Sequence, residues 1–126
     1  MKFHLARTDG RNAFTGYGNG YVSINGARYD KSLIVLPDRI LDWDVASFDD
    51  ITQSAFAVLV ALPVDVLVLG TGARLRFPPA ACMQVASKAR IGLEVMDTYA
   101  ACRTYNVLLA EDRRVGAALL MTAPAG

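Results

Sequence analysis

The residue types that most often carry chemistry are few in this chain. His4 is its one histidine, and Cys82 and Cys102 are its two cysteines. A structural or catalytic metal site needs several such donors brought together, so a single histidine cannot build one. A cysteine nucleophile needs a base or a helix N-terminus to hold its thiolate, and no histidine stands near either thiol in the sequence. Cys82 falls on the apolar face of an expected helix, where a free cysteine packs as a small hydrophobe. Cys102 falls about one turn into the next expected helix, too deep for much help from that helix's N-terminus. The sequence therefore predicts no catalytic residues, no metal ligands and no cofactor. His4 is expected at the surface or on a sheet edge.

Two glycine-rich stretches need weighing. Gly70-Thr71-Gly72 follows an apolar run, as the first turn of a dinucleotide site does, but the third glycine position holds Leu75. A pyrophosphate also needs a helix N-terminus directly behind the glycines, and Ala73 to Phe77 is no helix start. A tight turn at the sheet edge is the better expectation. Gly16-Tyr17-Gly18-Asn19-Gly20 lacks the lysine and aspartate set of a phosphotransferase and reads as a hairpin.

Asp97 to Asn106 is a less ordinary stretch. Asp97 is a helix N-cap by type, and Thr98, Cys102 and Tyr105 then share one helix face, with Arg103 and Asn106 on the next. Tight packing on a sheet accounts for that pattern. Arg74 and Arg76, behind Gly72, are solvated charges or an anion site. In open α/β sheets, ligands bind beyond the carboxyl ends of the strands. Gly72 and Arg76 follow one such end, and Asp97 and Thr98 follow another. The candidate ligand or partner site is thus Gly70, Thr71, Gly72, Arg76, Phe77, Asp97, Thr98, Tyr105 and Asn106. An ion pair from Asp97 to Arg74 or Arg76 is expected across that rim.

The elements that must position these residues can be read from periodicity. Asn12–Tyr17 and Tyr21–Ile24 flank a glycine turn, and Asn25-Gly26 suits a type I′ hairpin, which needs positive φ twice. Ala27–Leu36 continues an antiparallel meander that ends at Pro37. Ser47 to Asp50 forms a capping box before a helix carrying Ile51, Ala55, Val58, Leu59 and Leu62, which Pro63 stops. Val64–Leu69 is a short apolar run typical of a strand buried on both faces. Pro78-Pro79 opens a second helix, Ile91–Met96 is a strand, a third helix runs from Asp97 to about Ala110, and Val115–Met121 is the last strand. Strands joined through helices in this way are normally parallel. The fold class is mixed α/β: three layers, an N-terminal antiparallel meander, then a β-α-β-α-β unit in a mixed sheet with parallel core strands. One domain over residues 1–126 is expected, with its core at about 12–121 and a flexible tail at 122–126.

The bulk composition bounds the partners. The chain has 126 residues, 53% of them hydrophobic and 20% charged, with a formal net charge of +1. Near-zero charge without a basic cluster argues against nucleic acid. The longest apolar run, Ala55 to Leu69, is broken by Pro63 and Asp65, so no membrane span is expected. No export signal opens the chain, which predicts a cytoplasmic location and reduced thiols. The rich apolar content suits a surface left for a protein partner, or for a second copy of the chain.

Several segments in order carry a resemblance. They are Leu67-Val68-Leu69-Gly70-Thr71-Gly72, Arg76-Phe77-Pro78-Pro79, Glu94-Val95-Met96-Asp97-Thr98, Ala100 to Asn106 and Arg113-Arg114-Val115, with Tyr29, Ser32 to Val35, Pro37 and Trp43 before them. Over roughly residues 12 to 121 the chain is similar to a small domain family of unknown function. That family includes mitochondrial complex I assembly factor 3 and, more distantly, the adipogenesis-associated domain protein. The resemblance implies a three-layer fold with a mixed sheet, no established enzyme activity, and work through association with other proteins. The chain looks like a bacterial member, since it shows no mitochondrial presequence.

Overall fold

The structure is a computed structural model and describes residues 9–121. His4 and the expected tail at 122–126 lie outside the described residues. Among the described residues, eight strands form two sheets, accompanied by three α-helices. Phe14–Gly18 (β1), Tyr21–Ile24 (β2) and Ala27–Tyr29 (β3) make a small antiparallel sheet in sequence order. Asn25 and Gly26 both take positive φ, 49° and 87°, as the expected type I′ turn requires.

The meander departs from expectation at two points. Its third run does not continue unbroken to Leu36. Asp30-Lys31-Ser32 interrupts it, and Leu33–Leu36 (β4) leaves for the larger sheet. Nor does the antiparallel stretch end at Pro37. Pro37 and Asp38 turn the chain into Arg39–Asp42 (β5), which pairs antiparallel with β4. The physical reason is exposure. β4 is buried at all four positions and reads as a strand, whereas β5 is a largely solvated edge with charge at both ends.

The Ser47–Asp50 box forms, but it caps a single 3-10 turn, Phe48–Asp50. Asp50 Oδ2 accepts from Ser47 N at 3.2 Å. The helix proper, Gln53–Val60 (α1), has its own cap, because Thr52 Oγ1 accepts from Ala55 N at 3.2 Å. Val66–Gly70 (β6), Ala80–Lys88 (α2), Gly92–Met96 (β7), Thr98–Ala110 (α3) and Val115–Leu119 (β8) follow as the periodicity predicts.

The large sheet has the order β5-β4-β8-β6-β7. β6 lies between β7 and β8 and is parallel to both, with Gly70 opposite Met96 and Leu119. β4 joins β8 antiparallel, so the sheet is mixed with a parallel core, as expected. Strand alternation then sorts side chains into two cores. Leu33, Val35, Val68, Ala117 and Leu119 face α3 and the small sheet. Ile34, Leu36, Leu67, Leu69 and Ala118 face Phe56 and Leu59 of α1 and Cys82 and Ala86 of α2. This is the three-layer arrangement. It puts the carboxyl ends of β6, β7 and β8 along one rim.

Candidate functional site

Two threonine hydroxyls hold that rim together. Thr98, the first residue of α3, is buried, and its Oγ1 donates to Leu120 O at 2.7 Å and accepts from Gly72 N at 2.8 Å. Thr98 N donates back to Gly72 O at 2.8 Å. One side chain thus ties the loop after β6 to the chain leaving β8. Gly70 and Gly72 permit the approach for different reasons. A Cβ on Gly70 would lie 2.8 Å from both Thr98 Cα and Leu119 Cδ2. Gly72 has a φ of 100°, which favours glycine. Gly72 and Thr98 therefore meet directly, as the shared-rim expectation requires.

Thr71 shapes the loop on the other side. Its buried Oγ1 donates to Arg74 O at 2.7 Å, with Met96 O at 3.2 Å the second acceptor in reach, and accepts from Arg76 N at 3.1 Å. The backbone at Arg74 and Arg76 is wound around this hydroxyl. The Thr71 and Gly72 N–H groups are spent on Met96 O and Thr98 Oγ1. Helix α2 opens only at Ala80. The Gly-Thr-Gly turn is therefore a sheet-edge lock, not a cradle of free N–H groups before a helix.

The expected ion pair between Asp97 and an arginine does not form. Asp97 Oδ1 is committed to the helix, accepting from Ala100 N at 2.8 Å. Arg76 turns the other way. Its guanidinium lies over the Phe48 ring, 4.1 Å from the centroid, and comes within 3.9 Å of Asp49. The cap closes locally over three residues, whereas the Arg76 guanidinium is drawn to Phe48 and Asp49.

Arg74, Arg76 and Thr71 open instead onto a cleft of about 370 Å³, whose far wall is Ser47, Phe48 and Met121. Leu75 and Phe77 do not line it and are 49% and 66% exposed. A second cleft, about 650 Å³, shares Ala46 and Met121 with the first and is walled by Trp43, Lys31 and the carboxylates Asp30, Asp42 and Asp44. Trp43 is buried, and its Nε1 has no acceptor among the described residues. Phe48, Trp43 and Met121 are not among the candidate site residues read from the sequence. The capping box marked the turn that presents Phe48, but nothing in the spacing tied that turn to Arg76.

Tyr105 and Asn106 sit well along α3, away from the rim. The Tyr105 hydroxyl donates to Asn12 O at 2.8 Å, and its ring meets Phe14 edge-on at 5.2 Å. Asn106 grips Phe14 twice, accepting from its N at 2.9 Å and donating to its O at 2.8 Å. They fasten the small sheet to α3. Burial pushes the Tyr105 hydroxyl and the Cys102 thiol well above their ordinary pKa ranges, and raises Cys82 too. Neither cysteine is poised as a thiolate. Among the described residues, no group of three or more His, Cys, Asp or Glu could hold a metal ion, and no helix is long and apolar enough to cross a membrane.

These three layers are a known architecture. The crystal structure of a Bordetella parapertussis protein superposes with a TM-score of 0.83 at 36% identity, covering 89% of this chain and 97% of that one. Sequence comparison then fixes the family. Residues 14–120 match the family described as protein of unknown function (DUF498/DUF598), and the chain belongs to it. Among relatives, the zebrafish (Danio rerio) NADH dehydrogenase [ubiquinone] 1 alpha subcomplex assembly factor 3 is 41% identical over 82% of this chain and 60% of its own length. An uncharacterized protein of Rhodobacter capsulatus is 39% identical over 83% of this chain and 81% of its own. The chain spans somewhat over half the length of the assembly factors it matches.

Proposed function

We propose that this chain is a non-catalytic association domain that acts in the assembly of a respiratory NADH dehydrogenase. The observation that carries this reading is the 41% identity, over most of the chain, to a protein named for that assembly. The chemistry of the rim supports it. Its threonine hydroxyls and the Thr71 and Gly72 N–H groups are used up in holding loops together, while Leu75 and Phe77 stay exposed. Large exposed apolar side chains beside charged ones suit a protein contact. The partner is a protein of the assembling complex, with a second copy of the chain the alternative, and the work takes place in the cytoplasm.

The test is genetic and biochemical together. Deleting the chain from its host should lower the amount of assembled NADH dehydrogenase on native gels, and tagged full chain should co-purify with subunits of that complex. Unchanged assembly together with a lone monomer by native mass spectrometry would contradict the proposal. A second reading, a small-anion site, draws on the cleft that Arg74 and Arg76 line. It predicts a thermal shift with phosphate or simple carboxylates, since a ligand bound only to the folded state stabilises it.

A further inference from the structure

The loop between β6 and α2 has a division of labour that the lock at the rim does not need. Arg74 and Arg76 line the cleft, and Leu75 and Phe77 lie outside it in solvent. The hydroxyl of Thr71 fixes the backbone at both arginines, and Pro78 and Pro79 stiffen the far end of the loop. Neither cation is well satisfied. Arg74 has no ion pair or hydrogen bond from its side chain among the described residues, and the one carboxylate near Arg76 is Asp49, at 3.9 Å and 92% exposed. The Phe48 ring meanwhile supports the Arg76 guanidinium from beneath. A loop whose backbone is already fixed at both arginines loses little main-chain freedom on binding.

We infer that this loop is where the protein partner docks, and that the docking segment carries acidic side chains spaced by one apolar residue. Its carboxylates enter the cleft at Arg74 and Arg76, and its apolar residues cover Leu75 and Phe77. The inference rests on the association reading above and names the chemistry of that contact. Charge places the acidic side chains at the arginines, because the adjoining cleft sets Asp30, Asp42 and Asp44 against the single cation Lys31 and so disfavours carboxylates. The same aspartates argue against an anionic membrane as the occupant. Lipid headgroup recognition draws on clusters of about four to eight basic residues, and here the two clefts hold three cations, Arg74, Arg76 and Lys31, beside three aspartates.

The experiment is an NMR titration of isotope-labelled full chain with the peptide acetyl-Leu-Glu-Phe-Glu-Leu-amide, against the matched acetyl-Leu-Gln-Phe-Gln-Leu-amide. The acidic peptide should shift the amides of residues 46–48, 71–77 and 120–121. It should bind roughly five- to tenfold more tightly than the glutamine peptide at low salt, the expectation for two exposed charge pairs. The preference should fade as salt is added. Arg74→Ala with Arg76→Ala should abolish the preference, and Phe77→Ser should weaken both peptides alike. Phe77 and Arg74 are exposed, so Phe77→Ser and the single variant Arg74→Glu leave the fold intact, and Arg74→Glu should discriminate against the acidic peptide.

Equal binding of the two peptides, or shifts confined to another face, would overturn the inference. So would succinate binding as tightly as the peptide, or co-sedimentation with phosphatidylserine-rich vesicles that the peptide cannot compete. The two proposals fail separately. If tagged Arg74→Ala, Arg76→Ala chain still co-purifies with NADH dehydrogenase subunits as the unaltered chain does, this surface is wrong and the association reading stands. If the acidic peptide binds as described but deletion leaves the complex unchanged, the surface stands and the assembly role falls.

Discussion

At the scale of single residues, Thr98 bears more of the structure than its size suggests. Its hydroxyl serves Gly72 N and Leu120 O from a buried position, so Thr98→Val would leave a buried donor and a buried acceptor unpaired. An unsatisfied buried group costs about 1–3 kcal/mol. We expect Thr98→Val to lose about 2–4 kcal/mol in urea unfolding, and Thr98→Ser, which keeps the hydroxyl, to lose far less. Equal losses would mean that the methyl packing, not the hydroxyl, holds the rim. Tyr105 and Cys102 give a pH dependence whose sign is fixed by burial. Both have raised pKa values in the fold, so the folded chain holds these protons more tightly than the unfolded one. Their contribution is fully present at neutral pH and is lost as the pH climbs past the unfolded values, about 8.5 for the thiol and about 10 for the phenol. Stability should therefore fall above about pH 9, and Cys102→Ala with Tyr105→Phe should flatten that slope. A slope unchanged in the double variant would contradict the assignment. What the sequence could show at this scale was uneven. Asp97 was readable as a cap because a cap is local. A bridge from Asp97 to Arg76 depends on long-range placement, and the partner of Arg76, Phe48, belongs to a turn far earlier in the chain.

At the scale of elements, the helix α3 joins the layers. It buries Thr98, Ala101, Cys102, Tyr105 and Leu109, and it holds β1 through the Tyr105 ring and Asn106. Asn106 does for Phe14 what a neighbouring strand would do, bonding both its N–H and its C=O. We expect Asn106→Leu to cost about 2–4 kcal/mol, because it removes two such bonds at a part-buried site. Hydrogen exchange should show the amides of β1 losing protection before those of β6 and β8. Uniform loss across both sheets would mean that the layers do not separate. The elements themselves were largely legible. Short continuous apolar runs mark β4, β6 and β8, and helical spacing with Asp97 and Pro79 marks α3 and α2. The strand β5 was not legible, because a solvated edge strand of four residues with charged ends has no apolar period to reveal it. The split between β3 and β4 was hidden too, since a change of sheet leaves no mark on alternation beyond three polar residues.

At the scale of the whole molecule, the parallel strands bring the loops after β6, β7 and β8 to one rim, and the structure divides that rim in two. On one side Thr98 and Gly72 close the gap. On the other, Arg74 and Arg76 face an open cleft beside exposed Leu75 and Phe77. Gly72 meets Thr98 at that rim and Thr71 bonds the backbone of Arg76, but the sequence does not tell which residues of these loops face solvent. Tyr105 and Asn106 were drawn in because they share a helix with Thr98, and 1.5 Å of rise per residue carries them well away from the rim. The functional account turns on one claim, that the chain works by association and not by catalysis. Complementation of a host lacking it tests this most directly, with assembled NADH dehydrogenase measured on native gels. We expect the unaltered chain and a Cys82→Ala, Cys102→Ala chain to restore the complex equally. Restoration that depends on a cysteine, or a complex that never needed the chain, would contradict the account.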